Sequence, residues 1–504
     1  MIRMRSTFLR PAFVLFVLAG ALEASAAIEP AEYAARRQRV AEAIGPHAML
    51  VVRSPAPAIR NGDTEWPFRQ SDDLYYLTGV DAPDTTLVLM PGEREHREIL
   101  FALDRDPSQE VWTGRIADHA ELAKSSGVDE VVSESKFDAF LAAAFEGRGW
   151  ADPATYRYYA KPGLPAFHRS VREGKAEVYL LLDRRTGSED EPPSAVSLLS
   201  QKIRSRYPEV RVRDASSIVS GLREVKSAAE IALIQRAVDV TLEAQKAAMR
   251  RALAASHEYQ VQATVEFTFR DLGAAGWGYP SIVAAGPNAT TLHYVTNDAK
   301  IPRDGLLLLD VGAEVEHYTA DVTHTFPADG TFSDEQEAIY EAVLRTNQAL
   351  MPLFRPGSSL RAAHEKALDL IGKELAALGL VTKAEDRDQV KLYFMHGLGH
   401  PLGLAVHDAF DRARPFEPGM VATNEPGIYV RAADVRASDV WKRLSEAERA
   451  GIDAALAKYD GIGVRIEDDV LVTQQGPRVL SAALPRTVEE IEKFMAEAAG
   501  DAVR

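Results

Sequence analysis

Leu306-Leu307-Leu308-Leu309-Asp310-Val311-Gly312, followed by Tyr318-Thr319-Ala320-Asp321-Val322-Thr323-His324-Thr325-Phe326, reads as two apolar strands that each carry one acid. A hairpin turning at Val315-Glu316 places Asp310 directly opposite Asp321, with both side chains on one face. Like charges opposite each other destabilise a sheet. A carboxylate in an apolar strand carries a desolvation cost as well. A divalent cation between the two removes both penalties. Two solvated acids on the wet face of an antiparallel sheet are the alternative.

Two more segments repeat the pattern. Glu425 lies in Met420-Val421-Ala422-Thr423-Asn424-Glu425-Pro426-Gly427-Ile428-Tyr429, and Glu467 in Gly463-Val464-Arg465-Ile466-Glu467-Asp468-Asp469-Val470. A third, Phe394-Met395-His396-Gly397-Leu398-Gly399-His400-Pro401-Leu402-Gly403-Leu404-Ala405-Val406-His407-Asp408, holds three of the twelve histidines. Alone it also fits a Gly-rich turn with surface histidines. Beside the acids it offers imidazoles, which serve as metal ligands and proton carriers near neutral pH. Four acids and one histidine make an oxygen-rich donor set with one nitrogen and no sulfur. Such a set suits manganese, and zinc or cobalt less distinctively. Four negative charges balance two divalent ions, which points to a two-metal hydrolase.

The chain has 504 residues, enough for two to four domains, and a formal charge of −16. Residues 1–27 begin with Arg3, Arg5 and Arg10, continue through the apolar run from Pro11 to Leu22, and end in Glu23-Ala24-Ser25-Ala26-Ala27. That pattern is expected of a cleavable signal peptide, and it implies export to the periplasm or the exterior. The apolar run falls short of the roughly 20 residues that span a bilayer, and no later segment is long and apolar enough. So acidic a chain repels phosphate backbones, and no nucleic-acid partner is expected. With no cysteine there are no disulfides and no thiolate chemistry.

Residues 28–215 alternate helix-like and strand-like pieces, which is the signature of an α/β domain. Met49–Val52, Thr86–Met90 and Glu98–Leu103 have strand length, and Ala31–Ile44 and Pro193–Tyr207 have helical spacing. Residues 216–227 read as a linker. Ser227-Ala228-Ala229-Glu230 is a capping box that opens a helix to about Leu253. Further helices are expected behind Ser333, with Gln336 three residues on, and behind Ser358 or Ser359. With strands at Leu306–Gly312, Tyr318–Phe326, Met420–Val430 and Gly463–Thr473, residues 228–504 make an α+β domain. Arg431–Tyr459 reads as a helical surface insertion, and His317 and His364 as surface residues.

In this order Asp310, Asp321, His400, Glu425 and Glu467 resemble the dimetal ligands of the pita-bread metallopeptidases, the family of methionine aminopeptidase, prolidase and aminopeptidase P. Asp-Val-Thr-His-Thr-Phe, His-Gly-Leu-Gly-His, Val-His-Asp, Glu-Pro-Gly-Ile-Tyr and Arg-Ile-Glu-Asp-Asp look most like the aminopeptidase P/prolidase branch. Phe68-Arg69-Gln70-Ser71-Asp72-Asp73-Leu74-Tyr75-Tyr76-Leu77-Thr78-Gly79 and Leu222-Arg223-Glu224-Val225-Lys226-Ser227 are similar to that branch's first domain and junction. The resemblance implies a creatinase/prolidase-type N-terminal domain and a pita-bread catalytic domain. It also implies two divalent ions bridged by Asp321 and Glu467, with Asp310 on one and His400 with Glu425 on the other. A water bridging the metals would attack the peptide carbonyl. His293 and His407 would face the substrate, while His396, Arg465 and, more weakly, Tyr429 would stand behind the ligands. Asn424 and His324 depart from the branch's usual aliphatic residue and arginine.

The implied activity is hydrolysis of the N-terminal Xaa-Pro bond of peptides, by a chain expected to form a homo-oligomer. Prolidase activity on Xaa-Pro dipeptides is the nearest alternative, and a non-catalytic pita-bread interaction module is the alternative of another class. The eight residues between Asp408 and Glu417 form a shorter loop than the dipeptidase branch usually carries, which favours substrates that continue past proline. Arg414 in that loop is a candidate for binding a substrate oxygen.

Overall fold

The computed structural model describes residues 28–147, 163–182, 193–409 and 411–502; the expected signal peptide lies outside them. Helix Pro30–Ile44 opens on a proline, whose fixed φ suits a first helical turn. The apolar runs that follow become Ala48–Arg53, Thr86–Leu89 and Glu98–Ala102. With Glu130–Ser133, Glu177–Leu180 and Arg211–Asp214 they form one six-stranded mixed sheet. Ala48–Arg53 is its pivot, antiparallel to Thr86–Leu89 and parallel to Glu177–Leu180. Helices cover this central strand, so its sequence is a continuous apolar run. This is the expected α/β domain.

Residues 216–227 are more than a connection, since helix Ser216–Arg223 forms there. Ser227 and Glu230 then exchange the two hydrogen bonds of a capping box and start helix Ala228–Ala252. Glu258–Asp271, Asp334–Leu350, Leu360–Ala377 and Val488–Ala502 complete the helical layer, with Ser333 and Ser359 as caps. The 431–459 insertion folds as Ala432–Ala437, Asp439–Arg443 and Glu446–Tyr459. Its Ile452, Leu456 and Tyr459 enter the main core, and Arg443 pairs with Asp388 at 3.0 Å. It therefore thickens the helical layer.

The sheets correct the sequence reading in two ways. The ladder pairs Asp310 with Thr323 and Glu314 with Thr319, so the chain turns at Glu316-His317 and Asp321 does not stand directly opposite Asp310. Both turn residues have positive φ, 47° and 66°, as a twisted two-residue hairpin turn requires. A shift of two residues preserves the face, so the two acids remain on one side. His317 is not a surface residue: its ring stacks on Tyr75 at 3.9 Å, and Nε2 lies 3.1 Å from Asp81.

The second correction is that three expected strands each break in two. Tyr318–Thr319 is followed by Val322–Pro327, Val421–Asn424 by Gly427–Tyr429, and Gly463–Arg465 by Asp468–Thr473. The breaks fall at Asp321, Glu425 and Glu467. Here the chain bends from one small sheet into the next. At Gly312, on the same line, a Cβ would collide with the Ala320 carbonyl oxygen, so only glycine fits. The amides freed from the ladders find other acceptors. Asp321 N–H donates to Asp469 Oδ2 (3.0 Å), Glu467 N–H to Thr323 O (3.0 Å) and Glu425 N–H to Leu398 O (2.9 Å).

The two domains share a core, in which Tyr33, Leu74 and Tyr76 belong to the same cluster as Tyr318, Val322 and Leu402. Charge ties them together as well. Arg223 reaches Asp73 (2.7 Å), Asp72 (3.3 Å) and, closest, Asp408; Lys226 Nζ lies 3.0 Å from Asp408 Oδ2. Burial opposes ionisation of Asp408, but Lys226 and Arg223 outweigh it and hold its carboxyl below the usual range.

His324 is buried on Val322–Pro327, where Nε2–H donates to Pro485 O at 2.9 Å and Nδ1 has no partner among the described residues. Burial, with the charge of Arg486, pushes its pKa from 6.5 down to about 3. The unfolded chain therefore binds a proton near pH 6.5 that the folded chain refuses until about pH 3. The contribution to stability is complete above pH 6.5 and falls by about 1.4 kcal/mol per unit as pH is lowered through that window. Urea midpoints of wild type and His324→Gln should converge as pH falls from 6.5 toward 3. A difference that stays constant with pH contradicts the assignment.

Candidate metal centre

The three bends, strand Leu306–Val311 and the His-Gly segment bring the five expected ligands to one place. Asp310 and Asp321 both approach the Tyr279 hydroxyl, at 2.6 and 2.5 Å. His400 Nε2 lies 3.2 Å from Asp321 Oδ2 and 3.6 Å from Glu425 Oε1. Ligand atoms of Asp321, His400 and Glu467 all fall within 4.8 Å of one another. The ring of His400 is oriented from behind, because Nδ1–H donates to Pro401 O at 3.1 Å and so points Nε2 at the acids. A backbone bond from Thr423 N–H to His400 O (2.9 Å) ties this residue to the strand that ends at Glu425. A Cβ at Gly399 would strike the Thr423 carbonyl, so the glycine permits that approach.

Four carboxylates meet one cation here. Arg465 is buried, with Nη2 donating to Asp310 at 2.5 Å, Nε to Thr323 Oγ1 at 3.0 Å and Nη1 to Tyr429 OH at 2.9 Å. Thr323 Oγ1 in turn donates to Glu467 Oε2 at 2.7 Å. Two like charges about 4 Å apart repel by about 4 kcal/mol at an effective dielectric of 20. That is comparable with much of the roughly 5–15 kcal/mol net stability of a typical domain. Protonation or added positive charge must relieve it. Burial and then Asp310 raise the Asp321 pKa; burial and Asp321 push Glu467 well up. Burial takes Glu425 to about 7 against the pull of His400 and Arg465. Although burial opposes its charge, His400 rises to about 9 through Asp321 and Glu425. Tyr279 has one hydroxyl proton and cannot donate to both aspartates at once. This donor set fits divalent cations: oxygen-rich, one neutralisable imidazole, and more negative charge than the protein itself balances.

Around the ligands stand the other predicted residues. His396 Nδ1–H donates to Gly397 O at 2.7 Å, which leaves Nε2 to accept from Tyr429 OH at 2.9 Å. Arg465, Tyr429 and His396 thus form one directed chain, and burial with the nearby Arg465 charge takes His396 down to about 3. The His407 ring is exposed and stands 4.2 Å from the His400 ring, edge to face. Burial of part of its ring and the charge of His400 lower its pKa. His293 is exposed on the loop after Gly286–Thr290, close enough for its charge to act on both His396 and His407.

Some residues differ from expectation. His364 is half-buried, and its Nδ1 accepts the Leu398 N–H at 3.1 Å, fixing the His-Gly segment from below. Arg414 pairs with Glu224 and, at 2.6 Å, with Glu417, so it is not free for a substrate. The arginine beside the site is Arg412, exposed and 3.5 Å from where a Gly397 Cβ would stand. Asn424 turns away from the acids, donating to Asn347 O at 3.0 Å. Tyr279 went unnoticed in the sequence, since Gly276-Trp277-Gly278-Tyr279-Pro280 has no period and only its glycines hint at a close approach.

Residues 232–474 match metallopeptidase family M24, and residues 33–150 match the aminopeptidase P N-terminal domain. The Xaa-Pro aminopeptidase of Haemophilus influenzae is 32% identical over 92% of this chain and 97% of its own length. Human Xaa-Pro aminopeptidase 3 is 32% identical over 94% of this chain and 88% of its own. Among solved structures, Pseudomonas aeruginosa aminopeptidase PepP superposes with a TM-score of 0.77 at 33% identity, covering 94% of this chain and 99% of that one. Escherichia coli aminopeptidase P with the inhibitor Pro-Leu gives 0.76 at 29%, with the same coverage. With its candidate ligand residues gathered in one buried cluster and both domains matched, this chain belongs to the aminopeptidase P branch of metallopeptidase family M24 and is a metallo-exopeptidase.

Proposed function

We propose that the chain removes the N-terminal residue of peptides whose second residue is proline. The observation that carries this reading is the buried cluster of Asp310, Asp321, His400, Glu425 and Glu467, with the exposed His407 ring 4.2 Å from that of His400. Those five would hold two divalent ions, manganese first on the chemistry of the donors, with zinc and cobalt compatible. When bound, such ions supply Lewis acidity and bring the ionisation of water toward neutral pH.

The protein's own residues do the rest. His407, kept neutral by partial burial and by His400, has an N–H to offer to negative charge that develops on the scissile carbonyl. His293, across the mouth, is placed to donate to a substrate oxygen. His396 is neutral and locked by Gly397 and Tyr429, and it packs edge to face on Phe394 at 4.8 Å. It presents a rigid ring face that suits the proline ring. Proline also lacks the N–H that an ordinary peptide would need to satisfy there. Arg412, with no hydrogen-bond partner for its guanidinium among the described residues, can take a carbonyl further along the peptide.

The same proposal places the enzyme outside the cytoplasm, on the basic, apolar and small-residue order of residues 1–27. It also makes the enzyme a homo-oligomer. Helix Pro107–Thr113 buries none of its residues and leaves Val111 and Trp112 79% and 85% exposed, a face that association would cover. A monomer in sedimentation contradicts that part.

The short loop before Glu417, with its Arg414 engaged elsewhere, leaves room past proline. With manganese present, kcat/KM should be higher for Xaa-Pro-Xaa tripeptides than for Xaa-Pro dipeptides. A preference for the dipeptide makes prolidase the better description. In the same assay His407→Ala should lower kcat by about 10²–10⁴ with bound metal unchanged; loss of metal would make His407 a ligand instead. N-terminal sequencing of protein from its native host should begin at Ala27 or Ile28, and an intact Met1 contradicts export.

A further inference from the structure

Helix Glu258–Asp271 contributes one charged residue that touches none of the ligands. Glu258 is fully buried, and its carboxylate accepts four hydrogen bonds. Oε1 accepts from Ala285 N–H at 2.8 Å and from Asn288 Nδ2 at 3.0 Å. Oε2 accepts from Tyr294 OH at 2.9 Å and from Ala299 N–H at 2.9 Å. All four donors belong to one excursion of the chain, which leaves strand Ile282–Ala285 and returns at Ala299. The neck is closed by Glu258 N–H to Ala299 O and Ile301 N–H to Ser256 O, both 3.0 Å. Asn297 adds a second pin, accepting from Val283 N–H at 2.9 Å and donating to Ser281 O at 2.7 Å.

The residue type matters. An ionised carboxylate is acceptor-only with about four lone-pair sites, which matches four converging donors. Glutamine would turn an NH₂ toward two of them. A buried charge is tolerated only when it is this well hydrogen-bonded, so its presence marks a geometry the fold holds firmly.

His293 sits inside the excursion, one residue before Tyr294. Its ring makes no hydrogen bond among the described residues, so its location is set by the loop alone. We propose that Glu258 is a positioning residue for His293. By gathering both ends and the middle of the Ala285–Ala299 loop onto one carboxylate, it holds the imidazole at the mouth of the metal site. This rests on the reading of His293 as facing the substrate.

A double-mutant cycle tests it. kcat, KM, bound metal and the thermal midpoint are measured for Glu258→Gln, Tyr294→Phe and His293→Ala, and for each of the first two combined with His293→Ala. Glu258→Gln is expected to lower kcat/KM by about 10–10² with metal content unchanged. Tyr294→Phe, which removes one of the four bonds, is expected to lower it by a smaller factor. In the His293→Ala background neither should cost anything further, because the residue being positioned is gone. Equal losses in both backgrounds overturn the proposal while leaving the role of His293 intact. Wild-type turnover in His293→Ala removes that role, and the proposal with it. Should Glu258→Gln fail to fold, Tyr294→Phe decides alone, since only a half-buried hydroxyl is lost.

Discussion

Four carboxylates and one guanidinium share a buried space where four small sheets meet, and the surrounding structure serves that imbalance. Asp310, Asp321, Glu425 and Glu467 cannot all stay ionised beside Arg465 and His400 without repulsion on the scale of net folding stability. Apolar side chains at these points would stabilise the fold at no electrostatic cost. Their replacement by acids makes sense where a cation is to be held. The bends at Asp321, Glu425 and Glu467 aim three of the acids at the point that Asp310 faces from within the Leu306–Val311 ladder.

Much of this was legible in the chain. A single acid in each of three apolar runs, and Glu467 at the head of three acids in a fourth, marked the ligands, because a carboxylate there has few bland explanations. Ser227, Ser333 and Ser359 marked helix starts, since capping chemistry is local. The hairpin register was not legible: a turn at Val315-Glu316 and one at Glu316-His317 satisfy the same alternation. His317 takes the second turn position, where Tyr75 and Asp81 of the first domain hold its ring. The strand breaks escaped for a similar reason, as the apolar run continues through Asp321, Glu425 and Glu467 while the backbone turns. Tyr279, Glu258 and the Arg414–Glu224 pair depend on contacts between segments far apart in sequence, and no local pattern encodes these.

The first domain takes part in building the site. Arg223, held by Asp72 and Asp73, and Lys226 fix the Asp408 carboxylate, and the neighbouring His407 stands against His400. Behind the opposite wall, Arg465, Tyr429 and His396 form a chain of hydrogen bonds that ends on a backbone carbonyl. His400 thus has its orientation, and His396 its orientation and tautomer, set from outside the cluster.

The central claim is that this cluster is built for divalent cations, and ion counting joined to thermal unfolding tests it most directly. Protein stripped with a chelator and then titrated with Mn²⁺ should take up two ions per chain. Its unfolding midpoint should rise as they bind, by the equivalent of about 2.7 kcal/mol per site at a hundredfold excess over Kd. A chain that binds no ion, and whose midpoint does not move, would contradict the account.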